Sequence, residues 1–235
     1  MKFYKFFIIP LLIILTSCAS GPDRDPGDPL EPLNRAIESF NNDLLDQALL
    51  KPIAELYNHI MPNPIIESIN NFFNNLGEVV VFTNDLLQGK FQQGLQDSTR
   101  FVYNTTFGLG GLFDVATAWD LPRHNEDFGQ TLGYWGVGPG PYLVLPFVGP
   151  RTVRDTLSLV TDYPLDPTYQ INSTGVRNSV VALRVVDTRT NLLGAGRVLN
   201  EAALDRYLFL RDAYLQRRES LVHDGKSSKS KSPPG

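Results

Sequence analysis

The 235-residue chain offers little with which to do covalent or metal chemistry: one cysteine, three histidines and two methionines. A lone cysteine, Cys18, forms neither an internal disulfide nor a multi-cysteine metal site. No Gly-x-Ser-x-Gly surrounds any serine, and there is no His-Glu-x-x-His, P-loop or dinucleotide fingerprint. Gly136-Val137-Gly138-Pro139-Gly140 lacks the further glycine and following helix of a phosphate-cradling loop. His59 falls in a helical pattern and reads as a structural polar residue; His223 lies near the chain end and reads as exposed. His124 is better placed, beside Arg123, Asn125, Glu126 and Asp127, a cluster that suits either a solvated loop or contact with a headgroup or partner. Arg211, Asp212, Arg217 and Arg218 read as a charged helix face, with partner docking as the sharper alternative. The expectation is a protein without catalytic residues, metal or cofactor.

Composition directs attention elsewhere. With 42% hydrophobic and 20% charged residues the chain has enough apolar material for a packed core. Its net charge of -4 lacks the basic footprint of nucleic-acid binding. Lys2 and Lys5 precede an apolar stretch from Phe6 to Leu15 that contains Pro10. That stretch is too short for a span, which needs roughly 20 residues, and residues 1–17 read as a signal peptide. Leu15-Thr16-Ser17-Cys18 resembles the lipobox of bacterial lipoproteins, in which the cysteine becomes lipidated after cleavage. The other reading is an ordinary signal peptide with a chance cysteine. Ala19, where inner-membrane retention would place Asp, resembles outer-membrane sorting. An acidic body gains little from anionic lipid, so membrane contact must be apolar and covalent.

These features need elements to carry them. After a Gly/Pro/Asp tether over 18–27, Asp28-Pro29-Leu30-Glu31-Pro32 opens a helix, because proline suits a first turn and acids suit its positive end. Leu33, Ile37, Phe40 and Leu44 form one apolar stripe, and Lys51-Pro52 is expected to break it. A short stripe (Ile53, Leu56, Tyr57, Ile60) precedes a second break at Pro62-Asn63-Pro64. A long helix should then run to Gly89, another over about 90–107, a short one from Leu112 to Trp119, and further helices over 151–161, 174–192 and 200–222. Strict period-two alternation is scarce, so the expected class is mainly α, one helical domain over 28–222 with a disordered tail over 223–235.

One stretch does not behave like a soluble loop. Residues 128–150 carry no charge, yet six glycines and four prolines forbid a regular membrane span. Tyr134, Trp135, Tyr142, Leu143, Val144, Leu145 and Phe147 are too apolar for a water-facing loop. Irregular backbone at membrane depth is tolerated where it is buried in protein or lines a cavity. Two readings stay open: an apolar hairpin, hinged at its glycines and lining a lipid path, or a buried β-hairpin or core loop.

The ordered set of motifs resembles the MlaA (VacJ) lipoprotein family. It comprises Asp28–Arg35, Asn104–Ala116, Phe128-Gly129-Gln130-Thr131-Leu132-Gly133-Tyr134-Trp135-Gly136-Val137-Gly138 continuing to Gly149-Pro150, and Arg211–Arg218. The resemblance implies a ring-like helical lipoprotein lying in the inner leaflet of the outer membrane, on its periplasmic side, around an amphipathic channel. It implies removal of misplaced phospholipids beside a trimeric porin, and their passage to a soluble periplasmic lipid carrier and onward to an ATP-powered inner-membrane transporter. It also carries over to Phe40 and Asn41 a role in gating. The lipid-path reading of the uncharged stretch takes Tyr134, Trp135, Gly136, Val137, Gly138, Gly140, Tyr142, Leu143, Val144, Leu145 and Phe147 as its lining or hinge. The obstacle to such a job is solvation. Roughly 30 methylenes at about 0.8 kcal/mol each would cost about 24 kcal/mol to expose, on the order of one escape per day. No bond need be broken.

Overall fold

The computed structural model describes residues 27–225. The expected leader over 1–17, Cys18, nearly all of the expected tether and most of the expected tail lie outside the described residues. The fold is mainly helical, as expected. Helix α1 (Glu31–Ser39) begins with Pro32 in its first turn and Glu31 bonded to Arg35 at 2.8 Å. It runs directly into an eleven-residue π-helix, Phe40–Leu50, and then into α2 (Lys51–Ile60). The expected break at Lys51-Pro52 does not occur: Leu50 and Lys51 keep helical dihedrals (φ -71, ψ -42 and φ -62, ψ -50). Pro52 sits in the first turn of α2, where its fixed φ suits a helix, and the wider π-turn before it leaves room for its ring. Met61 and Pro62 are extended, so the second break is real.

Helices α3 (Asn63–Leu87) and α4 (Phe91–Thr106) form the most extensive contact, an antiparallel pair turned by Gly89 at φ +74. Gly94 lets them approach closely: a Cβ there would meet the Asp85 Cβ at 3.2 Å. The expected 112–119 helix shrinks to α5 (Val115–Ala118), started by Asp114, which accepts from the Thr117 amide. Residues 128–150 are not one hairpin. Asp127 caps α6 (Phe128–Tyr134) by accepting from the Gln130 amide at 2.8 Å, and pairing starts only at β1 (Tyr142–Leu145) with β2 (Gly149–Thr152). The strands are antiparallel, with Tyr142 opposite Thr152 and Leu145 opposite Gly149. Then come α7 (Val153–Leu165), a 3₁₀ turn (Pro167–Gln170), α8 (Thr174–Asn191), α9 (Leu193–Ala202) and α10 (Arg206–Val222). The single helix expected over 200–222 is divided at Ala203–Asp205, where Asp205 caps α10 through the Leu208 amide.

The distribution of polarity is inverted. Among the described residues eight apolar side chains are buried, against twenty-two polar or charged ones, while thirty-four large apolar side chains are exposed. Charges pair inside. Arg100 holds Asp114 at 3.0 Å, Glu78 at 3.4 Å and the Thr117 hydroxyl at 3.1 Å. Arg218 holds Asp127 at 2.8 Å and Asp155 at 2.9 Å. Bonding of this kind offsets the cost of taking these groups out of water. Exposed apolar area on this scale marks a surface made for something other than water.

Candidate functional site

The hairpin is held from two sides. On its inner face Tyr142 and Val144 are buried, and Tyr142 packs edge-on against Tyr207 (6.0 Å between ring centroids) and at a tilt against Tyr214 (6.1 Å). Along its free edge, two asparagine amides replace the missing strand. Asn34 donates to the Tyr142 carbonyl (3.0 Å) and accepts from the Val144 amide (2.9 Å). Asn41 donates to the Leu145 carbonyl (2.9 Å) and accepts from the Phe147 amide (2.9 Å). The two asparagines stand seven residues, two helical turns, apart on one face. An unpaired strand edge is a liability, and here it is closed by side chains.

The tip then projects outward. Phe147 is 78% exposed and adopts φ +66, a left-handed conformation that costs a side-chain-bearing residue roughly 1–2 kcal/mol. Phe40 meets it edge-on at 5.8 Å. Of the residues expected to line a lipid path, Phe40, Tyr134, Trp135, Val137 and Phe147 are exposed, and Leu143 and Leu145 are half-buried. Tyr142 and Val144 turn into the interior, where they anchor the strand rather than face an opening. Gly136 (φ +91), Gly138 and Gly140 (φ +68) occupy the link between α6 and β1, and an added Cβ at Gly136 or Gly138 would meet nothing within 4 Å. Gly129 and Gly133 differ. A Cβ there would strike Asp155 and Arg218, or Arg154 and Val222, so these glycines serve close packing.

The opening motif gains a physical role. Asp28 is fully buried, accepting from the Tyr207 hydroxyl (2.6 Å) and Arg211 (3.1 Å). Arg35 stacks over the Tyr207 ring at 4.5 Å and bonds Asp205 at 2.9 Å. The opening motif and α10 thus clasp the hairpin root between them. Asn34 is the functional side chain that sequence reasoning passed over; its spacing from Asn41 was the available signal. His124 points inward to Asp97 (2.8 Å) instead of outward to a partner.

At its other end the π-helix meets a polar cleft of about 490 Å³ between α2 and α8–α9, lined by Lys51, Glu55, His59, Arg189, Arg197 and Glu201. Asp46 of the π-helix pairs with Arg189 of that wall at 2.9 Å. One irregular helix therefore joins the apolar tip to the charged cleft. A further aromatic cluster joins half-buried Tyr103 to exposed Phe107 and Trp119, with centroids 4.7–5.9 Å apart. Aromatics of this kind favour the boundary between hydrocarbon and water.

No described helix is long and apolar enough to cross a membrane. A helical body that is polar within and apolar without defines a protein that rests in a lipid interface. The chain belongs to the MlaA lipoprotein family, whose model matches residues 26–221. It is 35% identical to the intermembrane phospholipid transport system lipoprotein MlaA of Shigella flexneri, covering 94% of this chain and 89% of that one. The protein of the same description from Escherichia coli (strain K12) is 34% identical over the same shares. A solved chain described as "Structural basis for maintenance of bacterial outer membrane lipid asymmetry" superposes with a TM-score of 0.73 at 34% identity, over 85% of this chain and 100% of that one.

Proposed function

We propose that this protein is a non-enzymatic lipid conduit of the outer membrane, which withdraws misplaced phospholipids from the outer leaflet and hands them toward the periplasm. The observation that carries this is the junction at the π-helix, with an exposed apolar hairpin tip at one end and a charged cleft at the other. A phospholipid needs both environments at once, apolar contact for its tails and a wet, charged route for its headgroup. Phe40, Phe147, Trp135 and Val137 supply the first; Lys51, Arg189 and Arg197 of the cleft supply the second. In this account Cys18 carries the lipid anchor that fixes the body to the inner leaflet, a trimeric porin lies beside it, and a soluble carrier receives the lipid.

The test is genetic and biochemical together. Deleting the protein from its bacterium should raise outer-leaflet phospholipid and detergent sensitivity. A variant with the link stiffened by Gly138→Pro should fold and localise but fail to restore either. Unchanged lipid asymmetry in the deletion would overturn the proposal, and full rescue by the stiffened variant would reduce the protein to a structural brace.

A further inference from the structure

Away from the hairpin tip, the 125–127 loop, α6, β2 and α10 enclose a cleft of about 250 Å³. Arg151, Arg217, Arg218, Gln130 and Tyr214 are among its walls. Arg218 is buried and commits its terminal nitrogens to Asp127 and Asp155, but its Nε has no partner. The Nε of Arg151 is also buried and without a partner. Arg217 is exposed, and no ion pair joins it to any described residue. The Tyr214 hydroxyl is already committed to Asp155 at 2.7 Å. Glu126, on the same wall, bonds Lys90 at 2.9 Å. Three guanidinium groups (Arg151, Arg217, Arg218) thus face two carboxylates (Glu126, Asp127), of which Glu126 is already held by Lys90, a local positive excess in a chain whose net charge is -4.

We infer that this cleft binds a phosphate group. Buried donors without acceptors are rare in folded proteins, and an oxyanion seated here would supply the missing acceptors. Guanidinium forks match phosphate geometry, and the several oxygens of phosphate suit three separate arginines better than the two of a carboxylate. The volume lies below the roughly 300–1,000 Å³ that encloses whole drug-sized ligands. It therefore takes a phosphate or a small phosphodiester headgroup and leaves acyl chains outside. The site is separate from the hairpin tip, and phosphate would bind here whether or not the protein moves lipid.

The full chain in neutral-detergent micelles is titrated calorimetrically with inorganic phosphate and, separately, with the water-soluble sn-glycero-3-phosphoethanolamine. Saturable one-to-one binding in the roughly millimolar range is expected. The double variant Arg151→Gln, Arg217→Gln should weaken it by tenfold or more, while Arg197→Gln in the remote cleft leaves it unchanged. Competition between the two ligands identifies a phospholipid headgroup as an accepted source; binding of phosphate alone identifies the free ion. Absence of saturable binding in folded protein, indifference to the double variant, or occupancy by an acidic peptide in place of both ligands overturns the inference. If the double variant loses its helical circular dichroism, Arg217→Gln alone decides, since that side chain is exposed.

Discussion

Asn41→Ala should free the hairpin tip without unfolding the hairpin. Asn41 holds the tip by two hydrogen bonds of 2.9 Å, to the Leu145 carbonyl and from the Phe147 amide. Each is worth about 1 kcal/mol net, so local opening should become about 2 kcal/mol easier, close to 30-fold. The left-handed Phe147, at φ +66, pulls in the same direction, because opening relieves its strain. Hydrogen exchange on the full chain in micelles reads this directly. The Phe147 amide should exchange about 30-fold faster, while Val144, whose amide is held by Asn34, stays protected. Asn41→Asp keeps the acceptor and loses the donor, and should fall between the two. Unchanged exchange at Phe147 would show that Asn41 does not hold the tip. Uniform acceleration across 142–152 would show that the tip has no independent opening.

Other consequences are as specific. Asn34→Ala leaves the buried Val144 amide and Tyr142 carbonyl without partners, which should cost roughly 2–4 kcal/mol and lower the melting temperature by about 5–15 °C; a shift within error refutes the edge-closing role. Gly129→Ala pushes a methyl between Asp155 and Arg218 and should destabilise by about 3–5 kcal/mol by parting a buried pair, whereas Gly138→Ala, with open space around it, should be close to neutral in the same melt. Burial raises the Glu78 carboxyl to about 7, and burial together with the neighbouring Asp97 raises Asp85 as well. The folded protein therefore keeps protons that the unfolded chain releases above about pH 4. The resulting stability is full below that pH and is lost as pH rises through about 7. Melting temperature should fall between pH 5 and pH 8, and Glu78→Gln should flatten the slope.

Much of this fold was legible in helical stripes and breakers. Pro62 ended a helix as expected, but Pro52 did not, because proline is harmless in a first turn and a π-turn preceded it. Gly129 and Gly133, counted among the residues that disfavour a regular helix, proved to be packing contacts, since composition alone cannot tell open space from a close neighbour. Residues 128–134 were hidden as a helix because the cap, Asp127, lies just outside the uncharged stretch. The lining residues were legible as apolar but not by direction: Tyr142 and Val144 turn inward, while Phe147, in the adjoining turn, points outward. Arg100, Glu78 and Arg218 could not have been assigned to the interior, because charged residues at helical spacing ordinarily mark the wet face. Only a chain whose outside is apolar reverses that rule.

The two tryptophans give the most direct test of that reversal. Trp119 and Trp135, each just over half exposed, both lie on the apolar exterior. With the protein reconstituted in phospholipid vesicles carrying bromine on the acyl chains, single-tryptophan variants (Trp119→Phe, Trp135→Phe) should each show strong quenching by the brominated lipid and weak quenching by aqueous acrylamide. Free access of acrylamide to both indoles, with no quenching by bromine, would mean that this surface faces water and that no acyl chain rests against it.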